Sequence, residues 1–255
     1  MNVRASTSTA TPVSYRDIVG VRVAALHWSA AIELMQSRIA DRHHTKVAFL
    51  NAHVANCAAA DREFKQALRD FLVLPDGVGV DIASKLLHGE PLPANLNGTD
   101  FVPALLSQTQ TPLTVGLIGG RRANLDGAVA ALRRNIPQHH YRAVADGFFS
   151  ETETAAICAD LAAERPDILL VAMGVPKQEK WIAQHLDQRH ATLPLAVGAL
   201  FDFFAGAVPR APGWVRRLRC EWLFRLWIEP GRLWRRYLIG NPQFLWRVLK
   251  QKIAG

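Results

Sequence analysis

Asp76 has both the chemistry and the setting of a reactive group. It ends the apolar run Leu72-Val73-Leu74-Pro75, which is too short for a helix, and Gly77 and Gly79 then open a segment with helical spacing at Val80, Ala83, Leu86 and Leu87. That order spells strand, tight turn, helix. In an open α/β sheet ligands bind outside the carboxyl ends of the strands, so Asp76 is placed at the mouth of a crevice. A carboxylate there can take a proton from an incoming nucleophile. It can equally cap the helix that starts near Val78, and the local sequence leaves both readings open.

A second group of polar side chains falls in the same grammar. Pro176-Lys177-Gln178-Glu179-Lys180-Trp181 follows the strand read at Ile168 to Met173, which Gly174-Val175-Pro176 turns into a helix beginning near Lys177, proline being favoured where a helix starts. Lys177 and Gln178 therefore face the same crevice as Asp76. Gln178 offers a donor and an acceptor to sugar hydroxyls or a uracil edge. Lys177 also reads as a solvated lysine, and Glu179 as a first-turn acid that complements the helix dipole. Asp202 lies among aromatic residues at the end of a strand read over Leu195 to Leu200, where a lone carboxylate needs a partner, a ligand or a helix to cap. Gly119-Gly120 could seat a phosphate on helix amides. It lacks the full G-x-G-x-x-G, and close packing explains it as well. Asp146-Gly147 reads as a turn.

The elements needed to hold these residues alternate regularly. Strands are expected at Lys46 to Leu50, which delivers Asn51 and His53 to a strand end, at the Asp76 run, and at Leu113 to Ile118, Tyr141 to Ala145, Ile168 to Met173 and Leu195 to Leu200. Helices are expected between them, from Ser29 to Ala40, around Val54 to Ala59, to His88, Phe101 to Ser107, Leu125 to Ile136, and after a Ser150/Glu153 capping box to Glu164. Strand and helix in alternation imply an α/β fold, Rossmann-like, with an open, mostly parallel sheet and helices on both faces. Residues 1–14 are Ser/Thr/Ala-rich and read as disordered, and residues 15–208 form the core.

Residues 209–255 differ in composition. Trp214, Trp222, Trp227, Trp234 and Trp246 fall here with Arg210, Arg216, Arg217, Arg219, Arg225, Arg232, Arg235, Arg236 and Arg247, against Glu221 and Glu229. Much of the net charge of +8 sits in this basic helical appendage. Pro230-Gly231 divides it into at least two helices. At 100° per residue Arg232, Arg235 and Arg236 share one face of the second, and Leu233, Trp234, Tyr237 and Leu238 the other. Such a helix suits an anionic membrane surface. A flap packed on the core is the competing reading, and no nucleic-acid motif accompanies the charge.

Other classes are excluded or weakened by what is missing. Cys57, Cys158 and Cys220 are far apart and form no C-x-x-C, so neither a zinc site nor a disulfide framework is expected, in keeping with a cytosolic setting. No HExxH is present, and no Asp-x-Asp to chelate a metal on a diphosphate. A diphosphate would have to be neutralised by arginine. No apolar run is long enough to span a bilayer or to serve as a signal core.

Taken together, Leu74-Pro75-Asp76-Gly77-Val78-Gly79, Pro176-Lys177-Gln178-Glu179-Lys180-Trp181, Phe201-Asp202-Phe203 with Gly206, Arg210-Ala211-Pro212, and Glu221-Trp222-Leu223-Phe224-Arg225-Leu226 through Glu229-Pro230 to Arg235-Arg236-Tyr237 resemble the WecG/TagA/CpsF glycosyltransferases. The resemblance runs from about residue 16 to the C-terminus. It implies an inverting, metal-independent enzyme of bacterial surface-polymer synthesis, with no cofactor, moving a sugar from a UDP donor to a sugar on a polyprenyl diphosphate. It implies that Asp76 is the general base, that Gln178 contacts the donor, and that Asn51 lies near the sugar pocket; Lys177 and Asp202 are substrate-binding candidates by their place at strand ends. Arg225, Arg232, Arg235 and Arg236 are candidates for holding the leaving diphosphate, with the choice among them left open, on an appendage at the inner face of the cytoplasmic membrane. A homo-oligomer is compatible with this. Two departures stand out. Phe49-Leu50-Asn51 replaces the Thr-x-Asn of many members, and Asn95 precedes Gly98 where many carry arginine. Both lie near the implied sugar pocket. With Phe49-Leu50-Asn51-Ala52-His53 and Asn97-Gly98-Thr99-Asp100-Phe101, they resemble the exopolysaccharide branch, including xanthan-type glucosyltransferases. A nucleotide-cofactor oxidoreductase built on Gly119-Gly120, and a non-enzymatic membrane or nucleic-acid adaptor built on the tail, are the alternatives.

Overall fold

The computed structural model describes residues 13–217 and 220–254. Most of the N-terminal segment read as disordered lies outside these residues, as do Leu218, Arg219 and the side chains of Arg216 and Arg217.

The chain opens with an antiparallel hairpin, β1 (Tyr15–Ile18) and β2 (Val21–Ala24). The main sheet has six strands: β3 (Lys46–Leu50), β4 (Phe71–Pro75), β5 (Thr114–Gly119), β6 (His140–Ala145), β7 (Ile168–Ala172) and β8 (Leu193–Ala196). Their order is β4-β3-β8-β7-β5-β6, and each neighbouring pair is parallel. A parallel sheet must be covered on both faces, which is why its strands read as unbroken apolar runs. One face is covered by α1 (Trp28–Ala40), α5 (Gly98–Gln108), α6 (Arg122–Asn135) and α9 (Leu200–Phe204), through residues such as Met35, Phe101, Leu125 and Phe201. The other carries α2 (Ala52–Ala60), α3 (Arg62–Ala67), α4 (Val78–His88), α7 (Glu151–Glu164) and α8 (Lys177–His185), with Val54, Phe64, Val80, Leu161 and Ile182 buried. The arrangement is a mixed α/β fold with a parallel sheet flanked by helices. The capping box is present: Ser150 N donates to Glu153 Oε2 at 2.7 Å.

Four further helices follow: α10 (Gly213–Arg217), α11 (Glu221–Ile228), α12 (Pro230–Trp234) and, after a π-helical turn over Arg235–Ile239, α13 (Gly240–Ala254). The last is anchored on the core. Phe244 and Val248 are buried, Asn56 Nδ2 donates to the Gly240 carbonyl at 2.7 Å, and the Gln251 side chain reaches the hairpin at Asp17 and Val19.

α8 begins at Lys177 as expected, behind Pro176 and a cis Val175-Pro176 bond. One local expectation is corrected. The last strand stops at Ala196, because Gly198 turns the chain in the left-handed region at φ 57° and Leu200 starts α9. Asp202 is therefore helical, not a strand-end residue.

Candidate active site

β3 and β4 end side by side, with Leu50 paired to Pro75, so Asn51 and Asp76 emerge together. Asn51 caps α2: its Oδ1 accepts from the amides of His53 and Val54, each at 3.1 Å. Its Nδ2 is left to donate to Asp76 Oδ2 at 3.0 Å. This removes the capping reading of Asp76. The residue capping α4 is Gly77, with no side-chain cap bond, and the Asp76 carboxylate points to Asn51 instead. Gly77 holds φ 92°, a region costly for any side chain, and its amide donates to Asn95 Oδ1 at 2.8 Å. Asn95 thus fixes the turn that aims Asp76.

Asp76 stands where two cavities meet. The smaller, about 190 Å³, is walled by the ends of β3, β7 and β8, including Phe49, Gly174, Gln178 and Gly198, and by Arg232. The larger, about 660 Å³, runs between α4 and the C-terminal helices, past Ile82, Trp222, Leu238 and Leu245. Both share Asn51, His53, Asp76, Thr99, Phe203, Arg225 and Arg236. Burial pushes the Asp76 carboxyl above its ordinary range, while the Asn51 bond and the charges of Arg236 and Arg225 pull the other way. Burial also drives His53 down to about 4, with Arg236 adding to the effect, so His53 is neutral near pH 7.

The arginines divide. Arg225 lies 5.2 Å from the Phe203 ring and 3.8 Å from Glu229, and Arg232 pairs with Glu229 at 2.6 Å. The Nε atoms of Arg225 and Arg236 are buried and have no hydrogen-bond partner among the described residues. Burial also disfavours the charge of Arg236. Two half-buried guanidiniums beside a cavity, each with a buried Nε, have the chemistry to receive an anion with several oxygens. Arg235 lines neither cavity and lies over the Trp234 ring at 5.2 Å. The π turn widens the helix at this point, so adjacent arginines expected on one face part company.

The other expected site residues are placed as follows. Gln178 is buried on the wall of the smaller cavity, but its Oε1 already accepts from the amides of Gly174 and Gly198, at 3.2 and 3.0 Å. Lys177 lines neither cavity; it donates to the Gly147 carbonyl at 3.1 Å. Asp202 also stands outside both and accepts from Asn124 Nδ2 at 2.7 Å. Gly119 is required by close approach, since a Cβ there would lie 2.4 Å from the Ala172 carbonyl oxygen of the neighbouring strand. Glu179, read as a first-turn acid, is 1% exposed, and burial raises its carboxyl to about 7. His53, Asn95 and Glu179 are the residues that pattern alone did not single out for chemistry. Among the described residues no group of three His, Cys, Asp or Glu side chains is placed to hold a metal ion.

The model of the glycosyl transferase family WecG/TagA/CpsF matches residues 16–255. The chain belongs to that family. Two relatives are named N-acetylglucosaminyldiphosphoundecaprenol N-acetyl-beta-D-mannosaminyltransferase in Bacillus. The Bacillus subtilis protein is 30% identical over 81% of this chain and 79% of its own length. The Bacillus spizizenii protein is 32% identical over 72% of this chain and 70% of its own. A Staphylococcus aureus protein of the same name is 29% identical over 79% of this chain and 78% of its own. As a family member the chain is a glycosyltransferase, and every residue of the two cavities lies inside the matched span.

Proposed function

We propose that this glycosyltransferase moves a sugar from a UDP donor in the smaller cavity to a polyprenyl-diphosphate-linked sugar in the larger one, with inversion and without a metal, in bacterial exopolysaccharide or cell-surface polymer synthesis. The observation that carries the reading is the place of Asp76 at the junction of the two cavities. Its carboxylate takes the proton of the acceptor hydroxyl as that oxygen bonds to the anomeric carbon. The bond from that carbon to the UDP oxygen breaks on the opposite face, its electron pair leaves with UDP, and the configuration inverts. Asn51 orients the base. Arg225 and Arg236 stabilise the charge that develops on the leaving diphosphate, from helices that close over the site.

The larger cavity suits an acceptor with a charged head and an apolar tail. Its lining combines Asp76, Arg225 and Arg236, shared with the smaller cavity, with the apolar side chains Ile82, Leu238 and Leu245. On the same reading the chain is peripheral on the inner face of the cytoplasmic membrane. Among the described residues no helix is long and apolar enough to cross a bilayer. Exposed Trp227, Trp246, Leu249 and Ile253 lie on the appendage with its arginines, as an interfacial surface requires.

For the donor sugar, Phe49 supplies the wall of the smaller cavity. Its ring packs on Phe101 at 6.4 Å, and a Cβ at Gly98 would come within 3.1 Å of it. An apolar wall so tightly set favours a hexose over its bulkier 2-acetamido derivative, in line with the exopolysaccharide branch. Transfer assays across UDP-sugars, in EDTA, with a polyprenyl-diphosphate-linked acceptor test the whole reading. One donor is expected to be used by the wild type and not by Asp76→Asn. Full activity in Asp76→Asn refutes the base, and loss of activity in EDTA refutes metal independence.

A further inference from the structure

Glu179 is a buried acid that the transfer chemistry does not use. Its Oε1 accepts from Gln178 Nε2 at 2.8 Å, and its Oε2 is buried with no hydrogen-bond partner among the described residues. Gln178 in turn ties together two turns that belong to different strands. Its Oε1 takes the amide of Gly174, after β7, and that of Gly198, after β8. Both glycines are in the left-handed region, at φ 78° and 57°, and both turns wall the smaller cavity. The Gln178 amide is thus held at both ends, its oxygen by two donors and its nitrogen by one acceptor.

We propose that Glu179 is a positioning residue: it fixes the Gln178 amide, and through it the two turns of the smaller cavity, leaving the second Nε2 proton of Gln178 free to meet a bound donor. The consequence for donor binding rests on the function proposed above; the effect on the turns does not. The side chain suits the task because an acid protonated on Oε2 still presents Oε1 as an acceptor. Burial raises this carboxyl to about 7, so it holds Gln178 without placing a full charge beside an anionic donor. Glutamine at 179 retains that acceptor oxygen. Methionine and alanine do not.

The test compares wild type, Glu179→Gln, Glu179→Met and Glu179→Ala, each checked for folding by circular dichroism, so that misfolding of one apolar variant leaves the other to be read. Hydrogen exchange at the Gly174 and Gly198 amides is followed by NMR, and UDP affinity by calorimetry. Glu179→Gln is expected to match wild type within twofold in both. The apolar variants are expected to exchange these two amides at least tenfold faster, with other strand amides unchanged, and to bind UDP at least tenfold more weakly. Wild-type exchange at both glycines in a folded apolar variant overturns the proposal, as does a Glu179→Gln that behaves like Glu179→Met. The expected exchange pattern in a protein that binds no UDP supports the positioning role and refutes the donor assignment instead.

Discussion

Replacing Glu179 with glutamine should change how stability depends on pH, and the size of the change follows from burial. The folded protein holds the Glu179 proton up to about pH 7, whereas an ordinary glutamate releases it near 4.5. Between those values the folded chain binds a proton that the unfolded chain has lost, so this residue's contribution to stability falls as pH rises and is constant above about 7. Each pH unit is worth about 1.4 kcal/mol, roughly 3 kcal/mol across the window. Glutamine does not titrate. Near pH 4.5 the two proteins should therefore be close in stability, because the protonated acid and the amide each leave one polar atom without a partner. At pH 8 the variant should be more stable by roughly 3 kcal/mol, or about 5–10 °C in Tm for a chain of this size.

The wild-type profile alone would conceal this. His53 titrates at about 4 in the folded chain instead of 6.5, so its contribution rises with pH over nearly the same window and opposes that of Glu179. Asp76, Arg225, Arg232 and Arg236 border the same cavity and are present in both proteins. The difference between the two denaturation curves, measured from pH 4.5 to 8, isolates Glu179. A difference that stays constant across the range would show that Glu179 is ionised throughout, and would refute the picture of a neutral acid beside the donor.

Other substitutions probe the rest of the site. Asp76→Asn should lower kcat by about 10²–10⁴-fold with UDP affinity retained, and should abolish the acid limb of the pH–rate profile, which burial places above the ordinary carboxylate range. Arg225→Ala and Arg236→Ala should each cost roughly 10²-fold in kcat, while Arg235→Ala, whose side chain lies over Trp234 outside the cavities, should stay within about twofold. Phe244→Ala should destabilise the chain by about 3–5 kcal/mol in urea denaturation, since this fully buried ring anchors α13. Replacing Trp246, Leu249 and Ile253 together with serine should release the protein from anionic vesicles in a sedimentation assay without changing its Tm by more than a few degrees.

The sheet was legible because parallel, doubly covered strands appear as short apolar runs between helical patterns, and β3 to β7 lie where those runs lie. Asp76 was legible for the same reason, as the polar residue ending a run before glycines. That it does not cap α4 was not legible, because its carboxylate is engaged by Asn51, 25 residues earlier in the chain and adjacent only through the β3–β4 pairing. Glu179 shows the converse. A first-turn acid has one sequence signature whether solvent or protein covers it, and here it is buried on the wall of the smaller cavity. The separation of Arg235 from Arg236 was hidden because a helical wheel assumes 100° per residue, which a π turn does not keep.

That turn also bears on what the appendage is for. α13 is anchored by Phe244, Val248 and Gln251, with Trp246, Leu249 and Ile253 exposed on its other side, while α11 and α12 supply Arg225 and Arg232 to the smaller cavity. The segment between anchor and wall is the π turn, which carries Arg236 to the junction beside Asp76. One stretch of sequence thus combines a buried anchor, a cavity wall and an exposed apolar surface. Deleting it removes all three, so an inactive truncation says nothing about membranes. Only substitutions confined to the exposed side separate attachment from catalysis. If those variants leave the vesicles yet still turn over a soluble short-chain acceptor, the exposed side of α13 serves attachment and the arginines serve chemistry. If they lose both activities, the exposed side helps to seat the acceptor's tail.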